Sequence, residues 1–403
     1  MDYLLEIARI VDGAVKGDRT KVTAYVEQLV RKLREAGEAA AADRLAKTLR
    51  QTATSEVAPA LIAAPTRLPV DQESRLALAD EERLAPGDVR IVLDAPVQRQ
   101  VSEFVRFVKA ADRLLANRVG ISPSMIIHGP PGVGKTELAR FIAAELGLPL
   151  ITARSDSLIS SFLGSTAKNL RMLFDHARNR PCVLFLDELD SLAKLRDDQH
   201  ELGELKRVVV SLLQNIDALD NQTVLLGATN HHHLLDPAVW RRFAYRIELS
   251  PPGVDARAAL FQHFLDGRAP SDPEVRLLAA AAESLTGADI RRVSETAIRA
   301  SILDDREGVA TLEILREIVR LRLGRDVDLA HTDPKTVRAV HDLAPDFMTL
   351  KWLAALFNSS EPTISRRMNA GGNHARQRDS ASDQDRDTAR NGPPARTGRR
   401  LST

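Results

Sequence analysis

The chain has 403 residues, 44% of them hydrophobic and only 4% aromatic, with a formal net charge of +1. At roughly 150 residues per domain that length suggests two or three domains, and so balanced a charge names no nucleic acid or membrane partner by itself. The single cysteine, Cys182, excludes an internal disulfide and suits a reducing compartment.

No apolar run approaches the roughly 20 residues of a membrane helix. The N-terminus is acidic from Asp2 on and lacks the basic start and cleavage site of a signal peptide. The expectation is a soluble cytoplasmic protein with no membrane contact. Residues 1–54 read as a small helical domain that meets a partner or substrate. Leu4, Leu5, Ile7, Ala8, Val11 and Val15 recur at helical spacing, Gly17 and Asp18 interrupt, and Val22, Val26, Leu29, Leu33, Leu45 and Leu49 resume it. Residues 55–88 carry Pro59, Pro65, Pro69 and Pro86 and read as a linker with short ordered pieces. Within 89–250, SMIIHG, LPLITA, CVLFLD, TVLLGAT and YRIEL look like buried parallel strands separated by helices. That alternation predicts a doubly wound parallel α/β sheet. Residues 251–326 return to helix after Pro251 and Pro252, and 327–369 form a further helical segment. Residues 370–403 have almost no large apolar side chain and are expected to be disordered.

The stretch MIIHGPPGVGKTELAR holds Gly129, Pro130, Pro131, Gly132, Val133, Gly134, Lys135 and Thr136, a full match to the eight-residue phosphate-loop pattern between a strand and a helix. Glycines let backbone N–H groups approach phosphates, and the following helix adds partial positive charge. Lys135 would hold β- and γ-phosphate oxygens, Thr136 would ligate Mg²⁺, and Glu137 stands beside them. In VLFLDELD, Asp187 and Glu188 end an apolar strand, where ligands bind in open α/β sheets. Asp187 would orient Mg²⁺ through water and Glu188 would polarise the attacking water as general base. In TVLLGATN, Asn230 ends a third strand with an uncharged amide suited to the water or the γ-phosphate. Arg241 and Arg242 suit transition-state charge, but they lie too far along the chain from that strand end to be obvious ligands in cis. The run His231-His232-His233 reads as a solvated loop rather than a metal site.

In this order and at these distances, the phosphate loop, DE box, ATN strand end, LDPA…RRF segment and LTGADIRRVSETAIRAS resemble the AAA ATPases, the group that includes katanin, spastin, the ESCRT-disassembly ATPases and FtsH. The resemblance spans about 89–320. It implies a phosphate-loop NTPase fold with an all-α lid at 251–326 and ATP and Mg²⁺ as ligands. It also implies hydrolysis of ATP and a homo-oligomeric ring, most often a hexamer. Asn230 resembles sensor 1, Arg241 and Arg242 resemble arginine fingers that reach a neighbour's ATP, and Gly287 and Ala288 begin a lid helix facing the nucleotide. The two arginines are adjacent here rather than separated by two residues, so which is the finger stays open. Phe162, Leu163 and Gly164 resemble the family's pore loop, with core packing as the alternative, and a second loop falls near 197–201. Residues 1–54 resemble the three-helix domains that precede some remodelling ATPases, or are a generic bundle.

FMTLKWLAALFNSSEPTISRRMN, residues 347–369, resembles bacterial helix-turn-helix regulators. Thr363, Ser365, Arg366 and Arg367 would then face double-stranded DNA; a hairpin that docks on the ring or on a partner is the alternative. The leading expectation is a machine that unfolds, threads or disassembles a polypeptide substrate and serves a separate protease, since HEXXH and GxSxG are absent from the chain. A DNA-linked ATPase is the alternative.

Overall fold

Each strand of the central sheet sorts its side chains onto two faces with period two. On β2 (Ser124–His128), Met125 and Ile127 join one buried cluster and Ile126 the other. On β4 (Cys182–Leu186), Val183 and Phe185 face one way and Leu184 and Leu186 the other. Strands buried on both faces are continuous apolar runs, as the sequence shows. The computed structural model in which this is seen describes residues 3–15, 19–54, 68–71, 75–158, 165–178, 180–193, 202–219, 222–324 and 327–370. Phe162, Leu163, Gly164, the second loop near 197–201 and the tail from 371 lie outside the described residues.

Among the described residues the sheet has six strands in the order β1-β3-β4-β5-β2-β6, with β1 Ala79–Glu82, β3 Leu150–Ala153, β5 Thr223–Thr229 and β6 Tyr245–Glu248. β2 to β6 are mutually parallel, and β1 pairs antiparallel with β3. β1 arises in a stretch, Ala79-Asp80-Glu81-Glu82, that looks like loop. Its carboxylates hold it to the sheet. Glu81 accepts from the buried Arg180 at 2.7 Å, and Glu82 accepts from Arg140 Nε at 3.1 Å. Arg180 also contacts His176 Nε2 at 2.8 Å.

The helices in this unit are α1 (Leu4–Val15), α2 (Arg19–Glu35), α3 (Ala39–Thr54), α4 (Ala95–Lys109), α5 (Ala111–Ala116) and α6 (Lys135–Leu146). They continue with α7 (Ser155–Leu158), α8 (Ser165–Arg178), α9 (Leu189–Ala193), α10 (Leu202–Asp217) and α11 (Pro237–Trp240). α4 and α6 cover one face of the sheet through Phe104, Leu138 and Ile142, and α8 to α10 cover the other through Leu170, Phe174, Leu189 and Leu212. α1 inverts the usual arrangement. Its buried residues are Glu6 and Gly13, and Glu6 Oε1 lies 2.6 Å from Lys32 Nζ. Leu4, Ile7, Val11 and Val15 are 46–83% exposed.

The chain divides into two compact units at Pro251/Pro252. Among its described residues the second holds helices and no strand: α12 (Val254–Leu265), α13 (Asp272–Ala281), α14 (Gly287–Leu303), α15 (Thr311–Leu323), α16 (Pro334–His341), α17 (Leu350–Leu356) and α18 (361–370). One hydrophobic core runs through these helices. Phe261, Leu278, Ile290 and Ile318 share it with Val337, Leu353 and Ile364, so residues 327–369 have no core separate from that of 251–326. Asn358, between α17 and α18, sits at φ +46°, the left-handed conformation that asparagine tolerates.

Candidate active site

β4, β5 and β2 lie side by side, so their C-terminal ends bring Asp187, Asn230 and Gly129 together at one edge of the sheet. The order in which the chain visits these strands places a switch in direction there, the place for a ligand in this architecture. Gly129 leaves β2 at φ +151°, and a Cβ on it would stand 2.0 Å from the Leu249 carbonyl oxygen. Only glycine fits. Gly132 and Gly134 also have positive φ. The N–H groups of Gly132, Val133 and Gly134 donate to no backbone carbonyl among the described residues, which leaves them as donors around the mouth of α6. Pro130 and Pro131 have no N–H to offer and stiffen the loop.

Lys135, the first residue of α6, is buried. Its ammonium donates to the carbonyls of Gly129 at 2.9 Å and Pro130 at 2.8 Å and to Asn230 Oδ1 at 2.5 Å. Burial pulls its pKa below the ordinary lysine value, and Asp187 and Asp190 act in the opposite direction. Thr136 donates to Asp187 Oδ2 at 2.8 Å. Glu188 takes the left-handed conformation at φ +50°, a strained position of the sort found at functional sites. Its N–H donates to Asp187 Oδ1 at 2.9 Å and its carboxylate accepts from Ser155 Oγ at 3.4 Å. Glu137 is engaged sideways, accepting from Arg140 at 3.2 Å.

Two further residues complete the frame and were not among the sequence candidates. Asp190 accepts from Thr229 Oγ1 at 2.7 Å, and that hydroxyl accepts from the His231 N–H at 3.0 Å. This bridge clamps the backbone on both sides of Asn230. The signal for Asp190 is present in DELD, where it stands three residues beyond Asp187 at the start of α9. Ser155, on α7, had no signal.

The arginine pair splits. Arg242 Nε and a terminal nitrogen donate to Asp217 at 2.5 and 3.0 Å, and those hydrogen bonds raise its pKa above the ordinary arginine value. Arg241 is exposed and has no ion pair among the described residues. Gly287 and Ala288 open α14 in the second unit, under a capping box of Thr286 and Asp289. Arg291 pairs with Glu295 and Arg292 with Asp289 on the same helix. Thr363 hydrogen-bonds Ser360 at 2.9 Å, Ser365 is half-buried, and Arg366 and Arg367 are exposed. Among the described residues no group of histidine, cysteine and carboxylate side chains has the arrangement of a metal site, and no helix is long and apolar enough to cross a membrane.

A glycine-shaped cradle of N–H donors, a buried ammonium, and a hydroxyl joined to a carboxylate at a strand end fit a nucleoside triphosphate. Fold and site together define a phosphate-loop NTPase. A sequence model described as "ATPase family associated with various cellular activities (AAA)" matches residues 125–251. An AAA family ATPase of Sinorhizobium fredii is 38% identical over 289 residues, 70% of this chain and 86% of that protein. A proteasome-activating nucleotidase of Methanococcus vannielii is 33% identical over 216 residues, 51% of this chain and 53% of that protein. The ATP-dependent zinc metalloprotease FtsH 3 of Symbiobacterium thermophilum is 33% identical over 233 residues, 56% of this chain and 37% of that protein. The chain thus spans about half or less of the last two. It belongs to the AAA family of ATPases and is an ATP hydrolase.

Proposed function

We propose that the chain assembles into a homo-oligomeric ring, a hexamer, that spends ATP on unfolding or disassembling polypeptides drawn through its pore. The observation that carries this reading is an unfinished site. Lys135 is the one lysine or arginine hydrogen-bonded into the phosphate site among the described residues, while Arg241 is exposed and without an ion pair. Transition-state charge on a phosphoryl group calls for a further cation, and a neighbouring subunit's Arg241 supplies it. Arg241 is the finger in this reading, and Arg242, held by Asp217, braces it. Mg²⁺, held by Thr136 and through water by Asp187, would neutralise charge on the phosphate oxygens. Glu188 accepts a proton from the attacking water, Ser155 keeps its carboxylate in place, and Asn230 orients the same water. The names of the nucleotidase and FtsH relatives favour protein as the cargo. Phe162, Leu163 and Gly164 grip the polypeptide, with the aromatic ring giving apolar contact of little sequence preference, and a separate protease receives the product.

The test is Phe162→Ala in the full chain. ATP hydrolysis should persist while unfolding of a fluorescent protein carrying an unstructured tag is lost; parallel loss of both activities would sink the gripping role.

A second reading attaches to α17 and α18. Asn358 makes the left-handed turn between them, Ile364 is buried, and Arg366 and Arg367 stay exposed. These features favour a helix pair laid on duplex DNA, with the recruiting segment at 347–369. A salt-sensitive shift of duplex DNA by the full chain, abolished by Arg366→Glu with Arg367→Glu, is the expected result. No shift at low salt removes this reading.

A further inference from the structure

Three segments of the first unit meet through aromatic rings beside the phosphate site, and the catalytic reading leaves those rings unexplained. His128 is the last residue of β2, and Gly129 opens the phosphate loop directly after it. His232 lies two residues beyond Asn230, in the short 3-10 turn His232–Leu234. Trp240 ends α11, and Arg241 follows it. The ring centroids of His128 and His232 are 4.8 Å apart, those of His128 and Trp240 5.4 Å, and those of His232 and Trp240 6.1 Å. On β6, the Arg246 guanidinium carbon lies 5.5 Å from the centre of the Trp240 ring, within cation–π range. Trp240 also packs on the buried cluster that includes Leu235, Val239 and Phe243. From the other side, Ser124 Oγ donates to the Arg242 carbonyl at 3.1 Å and accepts from the Ala244 N–H at 3.0 Å. The Arg241 turn is therefore gripped at both ends, by a hydroxyl after it and by a ring stack before it.

His128 Nδ1 is buried and has no hydrogen-bond partner among the described residues, so packing holds this ring. Burial, and after it the charge of His232, lower its pKa, against a weaker opposite pull from Glu248.

We propose that the stack of His128, His232 and Trp240 positions Arg241, tying the finger that a subunit offers its neighbour to that subunit's own phosphate loop and sensor loop. The inference rests on the reading of Arg241 as a finger acting in trans. Trp240 and the two histidines are positioning residues, since none of them touches the reacting phosphate. Movement of the phosphate loop at Gly129, or of the Asn230 loop, shifts a ring that the Arg241 turn leans on. The occupancy of one site thereby sets the readiness of the next. Loss of the stack leaves nucleotide binding in the same subunit intact and removes help to the adjacent one.

Subunit mixing of full-length chains tests this. Lys135→Ala subunits lack a working loop but keep the finger; Arg241→Ala subunits lack the finger but keep the loop. Mixed in equal parts, they pair an intact loop with an intact finger at about a quarter of ring interfaces, and phosphate release should recover there. Trp240→Ala alone should lower kcat about tenfold or more, the scale of a misplaced catalytic group, with KM near that of the parent, and Trp240→Phe should restore it to within about twofold. Trp240→Ala should regain activity when mixed with Lys135→Ala and gain none with Arg241→Ala. Recovery with Arg241→Ala and not with Lys135→Ala would overturn the proposal, because Trp240 would then serve its own loop. Activity of Trp240→Ala within twofold of the parent would overturn it as well. If Trp240→Ala does not fold, His232→Ala, at an exposed residue, decides: the same mixing pattern with a smaller loss supports the proposal and unchanged kcat refutes it. Failure of the Lys135→Ala and Arg241→Ala pair to recover would strike the finger reading itself, a result distinct from any of these.

Discussion

At the phosphate end of the sheet each side chain is held by a polar partner: Lys135 by Asn230 and two carbonyls, Thr136 by Asp187, Thr229 by Asp190. In the helices of 327–370 the holding is apolar, with Val337, Leu353, Ala354 and Ile364 set into a common core. Phosphate chemistry requires particular residue types at particular spacings, so the first region declares its role. A core requires only volume and periodicity, so the second declares its helices and keeps silent about their use.

The contrast can be broken at either end. The largest effect is expected from Glu188→Gln, which keeps the shape of the side chain and removes the carboxylate proposed as the base. Steady-state phosphate release should fall about 10²- to 10⁴-fold with nucleotide affinity preserved, and a loss under tenfold would deny Glu188 its role. In the helical region the corresponding blow is steric: Ile364→Ala should cost about 2–4 kcal/mol, read by denaturant unfolding. Gly129→Ala joins the two kinds of constraint, since its methyl group would run into the Leu249 carbonyl. A loss on the order of 2 kcal/mol, with weaker nucleotide binding, is expected from thermal unfolding and titration.

A smaller effect follows from His176, whose pKa burial, followed by Arg180, pushes down from 6.5 to about 4. Between those values the unfolded chain binds a proton that the folded chain refuses. Stability should therefore fall as pH drops from 6.5 toward 4 and be insensitive to this ring above 6.5. The amount is about 1–2 kcal/mol after allowing for the water that still reaches the ring, and His176→Gln should flatten that slope. Smallest of all, Arg366→Ala and Arg367→Ala should each leave stability within about 0.5 kcal/mol. A larger drop would mean that these exposed arginines are structural and would end the analogy with a DNA-facing helix.

Legibility followed the kind of force involved. Four of the parallel strands, β2 to β5, were visible because burial on both faces writes them as nearly unbroken apolar runs; β6, expected to be buried as well, lies at the edge of the sheet with Arg246 and Glu248 exposed. β1 was not visible, because Asp80, Glu81 and Glu82 look like loop until Arg180 and Arg140, about 100 and 60 residues away, are seen to hold it. The stripe of Leu4, Ile7, Val11 and Val15 announced a helix, but not that this face of α1 would stay exposed while Glu6 went inside with Lys32. Periodicity gives the apolar side of a helix and says nothing of which side is covered. Asp187, Glu188 and Asn230 were readable from strand ends; Ser155 was not, because its contact with Glu188 crosses 33 residues. The adjacent arginines looked equivalent in sequence, and only Asp217, contributed by α10, tells them apart.

The common core of the second unit has a practical consequence for anyone who cuts or swaps this chain. α16 and α17 rest on α15, so a stop placed near Gly324 would strip cover from a sheltered surface that includes Ile314 and Ile318. A fragment beginning at 327 would carry the other half of the same surface without its mate. Chimeras between relatives should exchange 252–370 as one inheritance, and any affinity of the terminal helices for another molecule must be measured with the whole piece attached.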